Sequence, residues 1–212
     1  MAELLCTRLC HDLTGPIGAV SNGAEFLSEE GFNMQGQAME LIISSSFSAV
    51  TRLQFYRMAY GRVKEQGEAN LGDKQKLAMD YFAGSKITLD WPDSHTDSAA
   101  ISISQKMSRL ICNMLIIASG TLIRGGNIAV RLSQDDATLG KKVEVLVGGQ
   151  GLKWEKIVEQ ILAGDKDAIE MDTKNVQIFL SRAYADELGA RFNCVLNGES
   201  LSLSVIQPPH EI

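Results

Sequence analysis

The segment CHDLTGPIGAV, residues 10–20, combines side chains that could carry out chemistry. His11 has an imidazole, which in its neutral form is a nucleophile near pH 7. Asp12 follows it directly and can influence proton affinity at the imidazole or assist proton movement. Pro16 lacks a backbone N–H, so it should leave the carbonyl of Asp12 without its helical partner and loosen or kink a helix there. These residue types permit nucleophilic or proton-transfer chemistry at His11, and an ordinary surface histidine stays open as the alternative.

His11 lies in a segment whose apolar residues recur every three or four positions. The apolar positions are Cys6, Leu9, Leu13, Ile17, Val20, Ala24 and Leu27. On a helical wheel they fall within an arc of about 80°, and His11 is about 165° from its centre. We therefore expect a helix over about residues 3–30 that holds His11 in solvent. Taken alone, such a histidine is more often an ordinary surface residue.

A second apolar run follows a short connection in which Gly31 can end one helix and Asn33 can cap the next. Its apolar positions are Met39, Ile42 or Ile43, Ser46, Val50, Leu53, Tyr56 or Arg57, Tyr60 and Val63. The short connection predicts an antiparallel hairpin. Because each apolar stripe is wider than one neighbouring helix can cover, we expect a homodimer that forms a four-helix bundle.

Three arginines could assist a partner at His11. Counting outward from the turn places His11 level with about residue 54 of the second helix. Arg52 and Arg57 flank that level, and Arg8 lies one turn before His11. They are candidates for electrostatic help, although each taken singly reads more simply as a solvated surface arginine.

The sequence changes character after a linker at residues 66–72. Helices are predicted at 73–82, 104–122, 154–162 and 173–188, and strands at 86–91, from 127 and from 141. Two further strands flank Asn197-Gly198, a strong hairpin signal. We expect an α+β protein of two domains, with a helical hairpin at 1–68 and an α/β sandwich of a mostly antiparallel sheet and one helical layer at 72–212.

HDLTGPIGAV, residues 11–20, resembles the phosphoacceptor box of two-component histidine kinases: histidine, an acidic residue, leucine, two variable residues and proline. In that family the helical hairpin is the dimerisation and phosphotransfer domain. The resemblance implies that His11 accepts a phosphoryl group, with Asp12 as the neighbouring acid/base, and passes it to an aspartate of a receiver domain. It also implies a histidine-kinase ATPase-like sandwich in the second half.

The second half departs from that family at the residues that would bind ATP. In NMLIIA, residues 113–118, Asn113 matches but Ile117 stands where an asparagine holds magnesium, and isoleucine offers no oxygen. In VGGQGL, residues 147–152, Val147 replaces the aspartate that reads adenine. Asn175 and Gln177 replace glycines that let backbone N–H groups approach phosphate. We therefore expect no ATP-dependent kinase activity.

A phosphoacceptor hairpin joined to a degenerate ATP-binding-like domain resembles the ChpT-type histidine phosphotransferases of alphaproteobacterial phosphorelays. The resemblance implies a homodimer that accepts phosphate on His11 from a hybrid kinase receiver and passes it to response-regulator receivers. No cofactor of its own is implied, since each receiver would bring Mg²⁺. Two alternatives stay open: an ATP-dependent sensor histidine kinase core with divergent motifs, and a non-catalytic dimeric interaction module.

Composition excludes other classes. A net charge of −6 and a pI near 5.1 argue against nucleic-acid binding. Cys6 and Cys10 precede His11, but no second ligand pair follows at zinc-like spacing, so no metal site is expected. The sequence has neither a secretory signal nor a membrane-length apolar run, which predicts a cytoplasmic protein. His95 and His210 are expected to be surface residues.

Overall fold

The computed structural model describes residues 1–28, 35–62, 68–91, 101–165 and 169–209. Several features of the sequence analysis fall outside these ranges: Gly31, Asn33, Val63, His95 and His210.

The N-terminal part is a pair of long antiparallel helices, α1 (Ala2–Ser28) and α2 (Gln35–Tyr60). Gly23 of α1 is buried against α2, and a Cβ atom there would lie 2.7 Å from Cγ1 of Ile42. The missing side chain therefore lets the two helices approach closely. Helix α1 continues without interruption through Pro16, so the proline does not end the helix.

The apolar seam predicted on α1 is only partly covered within the chain. Cys6, Ile17 and Ala24 are exposed, whereas Asp12 and Gly23 face inward. The face of α1 that packs against α2 is therefore rotated from the predicted apolar face. The reason is that α2 alone covers only one side of the wide apolar stripe on α1. On α2 the exposed apolar side chains also recur every three or four residues: Met39, Ile43, Phe47, Val50 and Leu53.

A five-stranded sheet forms the base of the second part of the chain. Its strands are β1 (Ile87–Asp90), β2 (Gly126–Gln134), β3 (Lys141–Gly148), β4 (Arg191–Asn197) and β5 (Ser200–Gln207). The spatial order is β1-β2-β3-β5-β4, with β1 and β2 parallel and the other pairs antiparallel. Alternate residues of β3 are buried, at Val143, Val145 and Val147, so one face of the sheet carries the core.

Four helices complete the fold: α3 (Leu71–Phe82), α4 (Gln105–Thr121), α5 (Lys156–Ala163) and α6 (Val176–Glu187). Helix α4 is buried on all sides from Met107 to Ala118, because it packs between the sheet and the end of α2. Phe55 and Ala59 of α2 belong to the same hydrophobic core as α4 and the sheet. The predicted α+β class, with a helical hairpin and a mostly antiparallel sandwich, is confirmed.

Candidate functional site

His11 is presented to solvent from the middle of α1. Its side chain is 88% exposed, and its Nδ1 atom lies 3.3 Å from Oδ1 of Asp12. Asp12 is half-buried at the edge of the contact between α1 and α2. The imidazole therefore has one ring nitrogen beside a carboxylate, and Nε2 is the nitrogen left for a reaction partner.

Asp12 is held from the other side by α2. The hydroxyl of Tyr56 donates a hydrogen bond to Oδ2 of Asp12 at 2.5 Å. Tyr56 is only 3% exposed, and its oxygen lies 3.5 Å from the hydroxyl oxygen of Tyr81 in α3. Burial, with Tyr81 and Asp12 nearby, raises the pKa of Tyr56 far above its ordinary value, so the hydroxyl keeps its proton and acts as a donor.

Neither tyrosine was identified as a site residue from the sequence, where Tyr56 counted only as a possible apolar position. Tyr56 is 44 residues from Asp12. The helix-level count from the turn could have paired them, because it placed α1 near His11 opposite about residue 54 of α2. Tyr81 belongs to α3, and no spacing rule connects that helix with α1.

The three candidate arginines lie in three different surroundings. The guanidinium carbon of Arg52 lies over the Tyr81 ring, 5.7 Å from its centroid. The Nε of Arg52 donates a hydrogen bond to the Ser48 hydroxyl at 3.4 Å. Arg57 lines an open groove between α2 and α3. Arg8 lines a separate cleft beside α4 and α6. Within the described residues none of the three forms a hydrogen bond to His11 or Asp12, and their help to a binding partner stays a prediction.

The cleft that Arg8 lines has a volume of about 410 Å³ and is also lined by Asn175 and Gln177, two of the positions that the resemblance compares with a nucleotide site. Ile117 forms part of its wall. Val147 is not in the cleft: it is 2% exposed within the sheet core and pairs with Ile128 and Leu201. Neither the Ile117 nor the Val147 side chain supplies an oxygen for a cation or an acceptor for a base, although the cleft is also lined by the carboxylates Glu155 and Asp172.

The start of α6 is satisfied internally. Oδ1 of Asp172 accepts hydrogen bonds from the backbone N–H groups of Lys174 and Asn175, both at 2.8 Å. The side chain of Asn175 bonds to the backbone at Asp172 and Glu170. The Asp172 carboxylate thus occupies the N–H groups of Lys174 and Asn175, just before α6, and its negative charge disfavours an anion at those two groups.

Asn113 and Gln177 form a buried amide pair that holds the hairpin. Nε2 of Gln177 donates to Oδ1 of Asn113 at 2.6 Å, and Oε1 of Gln177 accepts from the Tyr60 hydroxyl at 2.6 Å. Nδ2 of Asn113 donates to the carbonyls of Ala59 and Arg109, both at 2.8 Å. Both residues therefore bind α2 directly, Asn113 at the Ala59 carbonyl and Gln177 at the Tyr60 hydroxyl.

Within the described ranges, no group of three or more histidine, cysteine, aspartate or glutamate side chains could hold a metal ion. Cys6 and Cys10 are exposed and unpaired with each other. No helix in the described part of the chain is long and apolar enough to cross a bilayer.

Known proteins with similar sequences cover nearly the whole chain. Residues 71–200 match the family model described as the histidine phosphotransferase C-terminal domain. The protein phosphotransferase ChpT of Brucella abortus (strain 2308) is 32% identical over 205 residues, which are 96% of this chain and 94% of that protein.

Solved structures agree with the sequence matches. A bacterial phosphotransferase structure is 33% identical with a TM-score of 0.80, covering 96% of this chain and 94% of that one. Full-length ShkA in complex with AMPPNP is 12% identical with a TM-score of 0.51, covering 99% of this chain and 47% of that chain. The second likeness concerns the fold alone.

Proposed function

Because the chain belongs to the family of histidine phosphotransferases, we propose that His11 is its phosphoacceptor in a multistep two-component phosphorelay. The donor is the receiver domain of a hybrid histidine kinase, and the acceptors are receiver domains of response regulators. The observation that carries this proposal is the exposed imidazole of His11, with Asp12 beside Nδ1. Transfer between two proteins requires a nucleophile that a second active site can enclose, and His11 is open enough for that.

In the proposed relay, Nε2 of His11 receives a phosphoryl group from the donor and then passes the same group to the acceptor. Nε2 of His11 attacks the phosphorus of the donor's aspartyl phosphate. The N–P bond forms, the bond from phosphorus to the carboxyl oxygen breaks, and its electron pair leaves with the donor aspartate. Asp12 stabilises the positive charge that the imidazole acquires, because its carboxylate lies 3.3 Å from Nδ1. The acceptor's aspartate then attacks phosphorus, and Nε2 leaves with the electron pair of the N–P bond.

The proposal assigns no cofactor to this chain. Each receiver would bring Mg²⁺ in its own pocket to neutralise the charge on the transferred phosphoryl group. We propose that ATP is not the phosphate source, which is supported by Ile117 on the cleft wall and by Asp172 at the start of α6. The proposed location is the cytoplasm, where a phosphorelay would meet its receivers.

We further propose a homodimer built from the hairpins. The stripe of exposed apolar side chains on α2 supports it, since Ile43 is 62% exposed and Val50 is 54% exposed. Exposed apolar residues at helical spacing on one face are typical of an interface. Ile17 of α1, 57% exposed, would extend the same four-helix core. Sedimentation of the purified chain should give a dimer, and Ile43→Glu should give a monomer.

The decisive experiment uses a purified receiver domain carrying ³²P on its aspartate. Incubation with this chain should transfer acid-labile label to His11, and His11→Ala should acquire none. His95→Ala is the matched control and should be labelled like the unsubstituted protein. Incubation with Mg²⁺ and ATP alone should give no label. Labelling of His11→Ala would contradict the assignment of the phosphoacceptor, and labelling from ATP would favour a kinase instead.

A further inference from the structure

We propose that Tyr56 is a positioning residue for His11: it holds the Asp12 carboxylate so that the imidazole proton stays on Nδ1 and Nε2 remains free to react. The inference deepens the proposed function and rests on it, because Nε2 of His11 is the nitrogen proposed to accept the phosphoryl group. The hydrogen-bond chain itself concerns this protein alone, before any receiver binds.

The two oxygens of Asp12 have different partners. Oδ1 faces Nδ1 of His11 at 3.3 Å, and Oδ2 accepts from Tyr56 at 2.5 Å. A carboxylate on a helix surface otherwise has several staggered rotamers of similar energy. The bond to Tyr56 selects the one that directs the other oxygen at His11. Since the imidazole is 88% exposed, Asp12 is the group in the described structure that orients its ring nitrogens.

Tyr56 is itself rigidly placed. Its ring stacks on Tyr60 with a centroid distance of 5.4 Å and an interplanar angle of 8°, and meets Tyr81 edge-on at 6.1 Å. It belongs to the core shared by α2, α4 and the sheet. A phenol enclosed in this way cannot turn away from Asp12 without breaking core packing. The position of Asp12 is therefore set by the interior of the protein.

This arrangement has a chemical consequence at the imidazole. A neutral imidazole has one N–H donor and one acceptor nitrogen, and the hydrogen bond at one nitrogen selects the tautomer at the other. A carboxylate at Nδ1 accepts from an N–H there, so the lone pair is on Nε2. If Asp12 were free to turn into solvent, the proton would no longer be held on Nδ1, and part of the population would lose its nucleophilic Nε2.

The test compares Tyr56→Phe with Tyr60→Phe. Both remove one hydroxyl from stacked rings one turn apart, but the Tyr60 hydroxyl bonds to Gln177 and not to Asp12. Two-bond ¹H–¹⁵N correlations of the three histidines, with His11 assigned by its loss in His11→Gln, report the tautomer of the neutral ring without any receiver. The unsubstituted protein and Tyr60→Phe should have His11 protonated on Nδ1. Tyr56→Phe should shift His11 towards the Nε2–H form.

The same variants are then given the phosphorylated receiver. Tyr56→Phe should be phosphorylated about tenfold more slowly, the effect of losing one hydrogen bond to a charged group. Tyr60→Phe should keep the rate. An unchanged tautomer in Tyr56→Phe would overturn the inference whatever the rate, because a slow variant with the Nδ1–H form would be only structurally impaired. Failure of the proposed function is separate: it would appear as no labelling of His11 in any variant, with the tautomer shift still present.

Discussion

Helix α2 contributes a tyrosine hydroxyl both to the surroundings of His11 and to the buried pair of Asn113 and Gln177, but the two hydroxyls lie in opposite environments. Tyr56 of α2 reaches outward to Asp12, and the hydrogen bond ends at an exposed imidazole. Tyr60, one turn later, reaches Gln177 and ends in a fully buried network with Asn113. The first region leaves Nε2 of His11 open to solvent. The second fastens the hairpin to the sandwich through buried amides.

The comparison shows what the sandwich supplies to the hairpin. Its helices α4 and α6 supply the buried amides, and α3 supplies the ring that Tyr56 approaches. The hairpin thus obtains a fixed base from the second part of the chain. Function in this arrangement depends on the residues of the site and not on the fold that carries them.

The largest effect is expected when an acidic residue replaces Val147 in the sheet. Val147→Asp would place a carboxyl group among Ile128 and Leu201 with no partner in the core. We expect a loss of about 3 to 5 kcal/mol in the free energy of unfolding, measured with urea. Val195→Asp, at an exposed position of β4, is the control and should change stability little. An unchanged unfolding free energy in Val147→Asp would contradict the burial of this position in the sheet core.

A smaller loss is expected when the buried amide pair is broken. Asn113→Ala removes the partner of Gln177 and one donor to the Ala59 carbonyl, leaving buried polar atoms unsatisfied. The expected cost is about 2 to 3 kcal/mol in unfolding free energy. Asn193→Ala on exposed β4 is the matched control. At a temperature where both variants are folded, His11 should still accept phosphate; a complete loss of transfer in the folded Asn113→Ala protein would contradict the division between the two regions.

The smallest effect concerns alkaline pH. Burial raises the pKa of Tyr56, so the unfolded chain loses the tyrosine proton near pH 10 while the folded chain keeps it. Below pH 10 the Tyr56 hydroxyl is protonated in both the folded and the unfolded chain, so its contribution to stability is fully present. Above pH 10 the unfolded chain binds fewer protons than the folded chain, and the free energy of unfolding falls. The slope should reach about 1.4 kcal/mol per pH unit for this residue. Urea unfolding at pH 9, 10 and 11 should show a shallower decline of the unfolding free energy with pH for Tyr56→Phe than for the unsubstituted protein. Equal declines would contradict a buried, protonated Tyr56 hydroxyl.

Local patterns predicted the elements well. Helical spacing predicted α1 and α2, and Asn197-Gly198 lies at the β4–β5 turn, where Gly198 takes a φ of 59°. The helix predicted from residue 104 begins with the side chain of Ser104 capping the N–H of Met107. These features depend on residues within one or two turns of each other, so the order of residue types is sufficient to indicate them.

Contacts between distant elements were not predictable in the same way. The arginines were grouped by their level along the hairpin, but Arg8 faces the cleft beside α4 and Arg57 the groove beside α3. Which side of a helix a long side chain takes depends on what packs there, and α3 and α4 are far away in the sequence. The same reason hid the partners of Asn113, which the sequence indicated only as a residue that matches the first asparagine of a family motif.

The sequence by itself determined that an imidazole followed by a carboxylate lies on a helix with the imidazole in solvent, which follows from residue type and helical period. The comparison of Ile117 and Val147 with a nucleotide site is implied by the family resemblance and not by those local properties. The tertiary structure alone decided that Asp12 is held by Tyr56 and that Asn113 and Gln177 are joined to α2. These bonds connect residues 44 or more positions apart, and they form only because burial of the shared core brings the helices together.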